Sequence, residues 1–66
     1  MKVFLNKQSY DIAENVSLQQ FIDTLGIDTR NTAVAINNRL IVRNLWGTTI
    51  LHDEDNITII VAAYGG

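Results

Sequence analysis

The sequence predicts an α+β domain in which a mixed sheet of four to five strands lies under one covering helix. Three observations carry this expectation. Short alternating segments broken by Asn-rich turns occur both early and late in the chain. One segment alone has helical spacing between a start and a stop signal, and the run from Ile57 to Ala63 contains almost no polar residue.

Met1 to Asn6 and Ser9 to Ala13 read as two strands joined by a turn near Asn6-Lys7-Gln8. Ser17 and Gln20 then have capping-box spacing, and Val16 and Phe21 stand where a hydrophobic staple places its two residues. Leu18, Phe21, Ile22 and Leu25 follow at i, i+3, i+4 and i+7. They form one apolar stripe, which Gly26 ends in the position of a left-handed cap. After the polar loop 28–31, Ala33 to Ile36 and Leu40 to Val42 form a second hairpin around Asn37-Asn38. Leu45 to Leu51 is irregular and includes Trp46, expected as a packing anchor whose indole N–H needs a partner if buried. Residues 53–56 turn the chain into the last strand, Ile57 to Ala63.

A single helix crossing between two hairpins, followed by a further strand, is most simply arranged as a β-grasp. The last strand then lies centrally, parallel to the first, which accounts for its apolar composition. Residues 1–63 are expected to form this domain and residues 64–66 a flexible tail.

The 66 residues are 47% hydrophobic and 18% charged, without proline or cysteine. Such a chain folds as one domain without disulfides, and thiolate metal sites and cysteine nucleophiles are excluded. A net charge of −2 with scattered Lys and Arg argues against a nucleic acid partner. No apolar run has the roughly 18 residues of a membrane span, and no signal peptide is visible, so the expected location is the cytoplasm.

Catalytic arrangements are equally sparse. His52, Asp53 and Asp55 come from one short turn, poorly placed for tetrahedral coordination, and read better as turn residues. Ser9 and Ser17 have no plausible base and orienter, and Ser17 serves as a cap. No glycine-rich phosphate loop is present. The expectation is no catalytic side chain, no metal and no bound cofactor.

Two features remain for function. Alternation places Val3, Leu5, Val34, Ile36, Ile57, Ile59 and Val61 beneath the helix, which leaves Phe4, Ala33, Ala35, Ile60 and Ala62 on the opposite face. No second helix covers them, and an exposed apolar face of this kind suits partner binding. The second feature is the ending Tyr64-Gly65-Gly66. Average glycine usage is about 7%, so two closing glycines arise by chance in only about half a per cent of chains. Without Cβ atoms they form a thin thread with an unhindered terminal carbonyl, able to enter another protein's active site. From Ala62 the extended thread reaches at most about 16 to 18 Å. Tyr64 either clamps the base of the tail against the domain or buries its ring against a partner.

The opening Asn6 hairpin, Ala35-Ile36-Asn37 leading to Val42-Arg43 and Trp46, the acidic turn before Ile57, and Gly65-Gly66 together resemble the ThiS-type sulfur carriers of thiamine biosynthesis. These are ubiquitin-like proteins of the ThiS/MoaD superfamily, and the resemblance spans nearly the whole chain. One departure is Asp53-Glu54-Asp55, where members usually have a central glycine; Glu54 makes a left-handed backbone costlier. The resemblance implies that a ThiF-type enzyme adenylates Gly66 with ATP and magnesium. A sulfur donor such as a cysteine desulfurase then supplies the sulfur of a thiocarboxylate, which a ThiG-type thiazole synthase accepts. It also implies a carrier that is a monomer when free and not itself an enzyme. Carriers for molybdopterin synthesis or tRNA thiolation share this chemistry, whereas a ubiquitin-like modifier would conjugate Gly66 to lysine and a passive interaction domain would leave it unused.

Overall fold

The computed structural model describes residues 1–61. β1 (Lys2–Leu5) and β2 (Gln8–Asp11) pair antiparallel, with Val3 opposite Tyr10. Their connection consists of Asn6 at φ 46° and Lys7 at φ 74°, neither of them glycine. Two successive left-handed residues give a turn whose twist matches that of the flanking strands. The second hairpin repeats the device, joining β3 (Thr32–Ile36) to β4 (Arg39–Ile41) through Asn37 and Asn38 at φ 51° and 68°.

Helix α1 (Leu18–Leu25) begins and ends where the sequence signals lie. The Gln20 N–H donates to Ser17 Oγ at 3.1 Å and the Ser17 N–H to Gln20 Oε1 at 2.9 Å, a reciprocal capping box. Gly26 closes the helix at φ 65°, where a side chain would be strained. The amides of Leu18 and Gln19 donate to the carbonyls of Thr49 and Trp46 at 2.8 and 3.0 Å, so the segment before the last strand is fastened to the start of the helix.

β5 (Asn56–Val61) completes a five-stranded sheet of order β2-β1-β5-β3-β4. It is parallel to β1 and antiparallel to β3, the central placement expected of the last strand. The core joins Val3, Val34, Ile36 and Ile57 of the sheet to Leu18, Phe21 and Ile22 of α1, with Trp46 and Leu51 closing one end. Tyr10 meets Phe21 edge-on at 5.7 Å between ring centroids. Trp46 is buried as an anchor beyond a one-turn 3-10 helix (Arg43–Leu45); its indole N–H donates to the Ile41 carbonyl at 2.9 Å, and Arg43 stacks 4.6 Å from the ring centroid.

Two expectations need correction. Val61, assigned beneath the helix, is 66% exposed, and the apolar character of β5 does not arise from burial along its length, since Ile60 is 57% exposed as well. The reason is size: eight helical residues span about 12 Å, whereas a six-residue strand runs about 20 Å. The helix cannot cover the end of β5. The expected continuation of the strand through Ala63 lies outside the described residues.

Candidate functional site: the outer sheet face

The register of the sheet fixes which side chains share the face away from α1. Ala33 stands opposite Ile60, Ala35 opposite Thr58 on one side and opposite Leu40 on the other, and Phe4 beside Asn56. Ile60 and Ala33 are exposed, while Ala35 and Phe4 are half-buried. Of the residues expected to form one patch, Ala33, Ala35 and Ile60 are brought together. Phe4 is set apart: it lies level with Asn56, four residues or about 13 Å along β5 from Ile60, and the polar Thr58 intervenes. Ala62, Tyr64, Gly65 and Gly66 lie outside the described residues.

Leu40 belongs to the patch and was missed. It is 64% exposed and pairs with Ala35, so it extends the apolar surface to the edge strand. A two-residue turn at Asn37-Asn38 implies that Ile36 faces Arg39 and Ala35 faces Leu40, and the sequence could have yielded Leu40 by that count.

The acidic turn at the opposite end of β5 is structural. Asp55 is buried, with Oδ1 accepting from Asn37 Nδ2 at 3.0 Å and Oδ2 from the His52 N–H at 2.8 Å. Asn37 also accepts from the Asn56 N–H at 2.9 Å, tying the second hairpin to the start of β5. The His52 ring is exposed, its Nδ1 3.9 Å from Asp55 Oδ2. Among the described residues no group of three His, Asp or Glu side chains is arranged to hold a metal ion. Glu54 adopts φ 68°, the left-handed conformation in question for a non-glycine residue, and its N–H donates to the Lys2 carbonyl.

Nearer the Val61 end, Arg30 pairs with Asp28 at 2.7 Å in the loop before β3. The hydrogen bonds from the Arg30 side chain, with one from its backbone N–H, hold the Asp28 carboxyl below its usual range, and the carboxylate raises Arg30 in turn. This pair is exposed and shapes the loop. Ser17 Oγ is occupied by the Gln20 N–H. The described side chains thus offer an exposed apolar face on β3, β4 and β5.

Comparison with known proteins accords with this geometry. The model of the ThiS family matches residues 3–66. The chain is 27% identical over 66 residues to the uncharacterized protein ycf40 of Porphyra purpurea, covering all of this chain and 93% of that protein. It is 26% identical to the sulfur carrier protein ThiS of Escherichia coli K12, covering both in full. The crystal structure of the thiamine biosynthesis protein ThiS from Geobacter metallireducens superposes with a TM-score of 0.86 at 19% identity over the full length of both chains, a likeness that establishes the β-grasp fold. With the family pattern spanning the sheet, the helix and the closing glycines alike, this chain belongs to the ThiS family.

Proposed function

We propose that the chain is a sulfur carrier for thiazole formation in thiamine biosynthesis, with residues 1–63 as the handle and residues 64–66 as the thread that carries Gly66. The observation that supports this reading is the apolar outer face that Ala33 and Ala35 of β3 and Leu40 of β4 share with Ile60 of β5, the strand that precedes Gly65-Gly66 in the chain. A partner that recognises that face has the terminal carboxylate within about 18 Å of Val61.

A carboxylate is a poor electrophile because its carbonyl would have to expel an oxide. Attack of a Gly66 carboxylate oxygen on the α-phosphorus of ATP forms an acyl-adenylate and releases pyrophosphate. A sulfur nucleophile then adds to the acyl carbon and AMP leaves with the electron pair of the broken C–O bond. Sulfide gives the thiocarboxylate directly, and a persulfide gives an acyl disulfide that a thiol reduces to it. Magnesium and ATP are bound by the adenylating partner, of the ThiF type, while a cysteine desulfurase supplies sulfur and a ThiG-type synthase consumes it. Apart from the Gly66 carboxylate that is itself adenylated, the carrier contributes no acid, base or nucleophile to either step, and it works in the cytoplasm with those enzymes.

Intact mass spectrometry of the chain incubated with the adenylating enzyme, ATP and the sulfur donor tests the proposal. The expected product has one oxygen replaced by sulfur and reacts with a thiocarboxylate-specific probe. Deleting Gly66 should abolish that product and leave the thermal unfolding transition in place. Normal sulfur transfer by the truncated chain, or recovery of Gly66 only in conjugates with lysine, would overturn it.

A further inference from the structure

We propose that the end of β5 is an open half-edge onto which an extended strand of the adenylating partner adds, in the place that β1 vacates. This rests on the adenylation reading above and names how the tail is aimed. β5 is the middle strand of the sheet, yet it is flanked on both sides only for part of its length. β1 pairs with it at Asn56 and Ile57, after which the chain turns away at Asn6 and Lys7. On the other side β3 accompanies it to Val61.

The direction of each backbone group follows from the ladder. The Asn37 N–H donates to the Asn56 carbonyl, so in this antiparallel pair the groups of residues 56, 58 and 60 point to β3 and those of 57, 59 and 61 point away from it. The bonds on the β1 side agree: the Asn6 N–H donates to the Ile57 carbonyl at 3.0 Å, and the Ile59 N–H donates to Asn6 Oδ1 at 3.1 Å. The Asn6 side chain therefore closes the ladder with one last bond where β1 has no further backbone to offer. Beyond it the Ile59 carbonyl and Val61 N–H face the vacated side, without a strand neighbour among the described residues.

Such a row of donors and acceptors is a template for strand addition. The surroundings fit an arriving strand. Ile60 and Val61 are 57% and 66% exposed beside it, and a cavity of about 390 Å³ lined by Asn6, Lys7, Asn56, Ile57 and Thr58 offers room for side chains. The exposed Lys7 at the rim favours a carboxylate on the incoming strand. Five residues separate Val61 from the Gly66 carboxylate, so backbone pairing at Ile59 and Val61 would fix the direction in which the thread leaves the domain.

Amide hydrogen exchange of the full chain, with and without a ThiF-type enzyme and ATP, provides the first test. The Val61 amide should exchange freely alone and slow at least tenfold in the complex, whereas the Ile59 amide should be protected in both. Val61→Pro removes the outward N–H without breaking a β3 bond, and it should raise the KM for adenylation, read by ATP–pyrophosphate exchange, at least tenfold. Val61→Thr, which keeps the N–H, should remain near the unaltered chain. Unchanged exchange at Val61 in a complex that adenylates the chain would overturn the half-edge while leaving the carrier function intact. Protection of Val61 without any adenylation would instead overturn the function and uphold the edge.

Discussion

Replacing Glu54 by glycine should stabilise the domain. Glu54 holds φ 68° in the turn before β5, where its N–H donates to the Lys2 carbonyl and the Lys2 N–H donates to Asp53 Oδ1 at 2.8 Å. These bonds lock the turn against β1, so the residue has no freedom to relax. The left-handed region costs an L-residue about 1–2 kcal/mol through contact of Cβ with the following carbonyl. Glycine removes that contact but gains about 0.5–1 kcal/mol of extra backbone entropy in the unfolded chain. The difference leaves a net gain of about 0.5–1 kcal/mol, or about 2–8 °C in Tm for a domain of this size. Glu54 also stands between Asp53 and Asp55, so Glu54→Gln and Glu54→Ala are needed to separate the charge from the Cβ. Thermal and urea unfolding of the four chains should place glycine above alanine by about 1 kcal/mol. Equal stability of Glu54→Gly and Glu54→Ala would show that the turn stores no strain at this residue, and the argument would fail.

Two further substitutions probe the face and its support. Ile60→Asp should shift stability by less than about 1 kcal/mol because the side chain is mostly in solvent, while titration with the adenylating enzyme should show at least a tenfold loss, about 1.4 kcal/mol; unfolding of the domain would mean that the face is misassigned. Asn37→Ala removes the donor to Asp55 Oδ1 and the acceptor for the Asn56 N–H, and should lower stability by about 1–3 kcal/mol in urea unfolding. A change within error would show that water replaces both bonds without loss.

Much of this fold was legible because its signals are local. Ser17, Gln20 and Gly26 mark the helix through their own hydrogen-bonding and steric properties, and Asn37-Asn38 marks a tight turn in the same way. The parallel placement of β5 followed from connectivity, since a helix crossing leaves few places for a last strand. What escaped depends on extent and register. Alternation correctly gave the orientation of Ile57 and Ile59 but could not show that the helix ends short of Val61. The outer face was recognised as apolar, yet the separation of Phe4 from Ile60 is a matter of how two strands are offset, and nothing in either segment alone encodes it. Asp55 looked like any turn carboxylate because its partner Asn37 is 18 residues away in sequence. The glycines 65 and 66 were visible at once as residue types; under the proposed function their chemistry would come from a partner and would leave no pattern of catalytic side chains to read.

That the strand leading to the terminus is also the middle of the sheet bears on how the protein is made. A ribosome delivers β1 and β2 first, but the strand that joins them to β3 and β4 emerges last. Until β5 has left the exit tunnel, the two hairpins have no common strand between them and the Ile57 side chain is missing from the core. Folding of the nascent chain is thus deferred until β5 has emerged, and a chain cut short within 56–61 would be left for proteolysis. A chain lacking β5 would therefore present neither a closed core nor the outer face that Ile60 shares with Ala33.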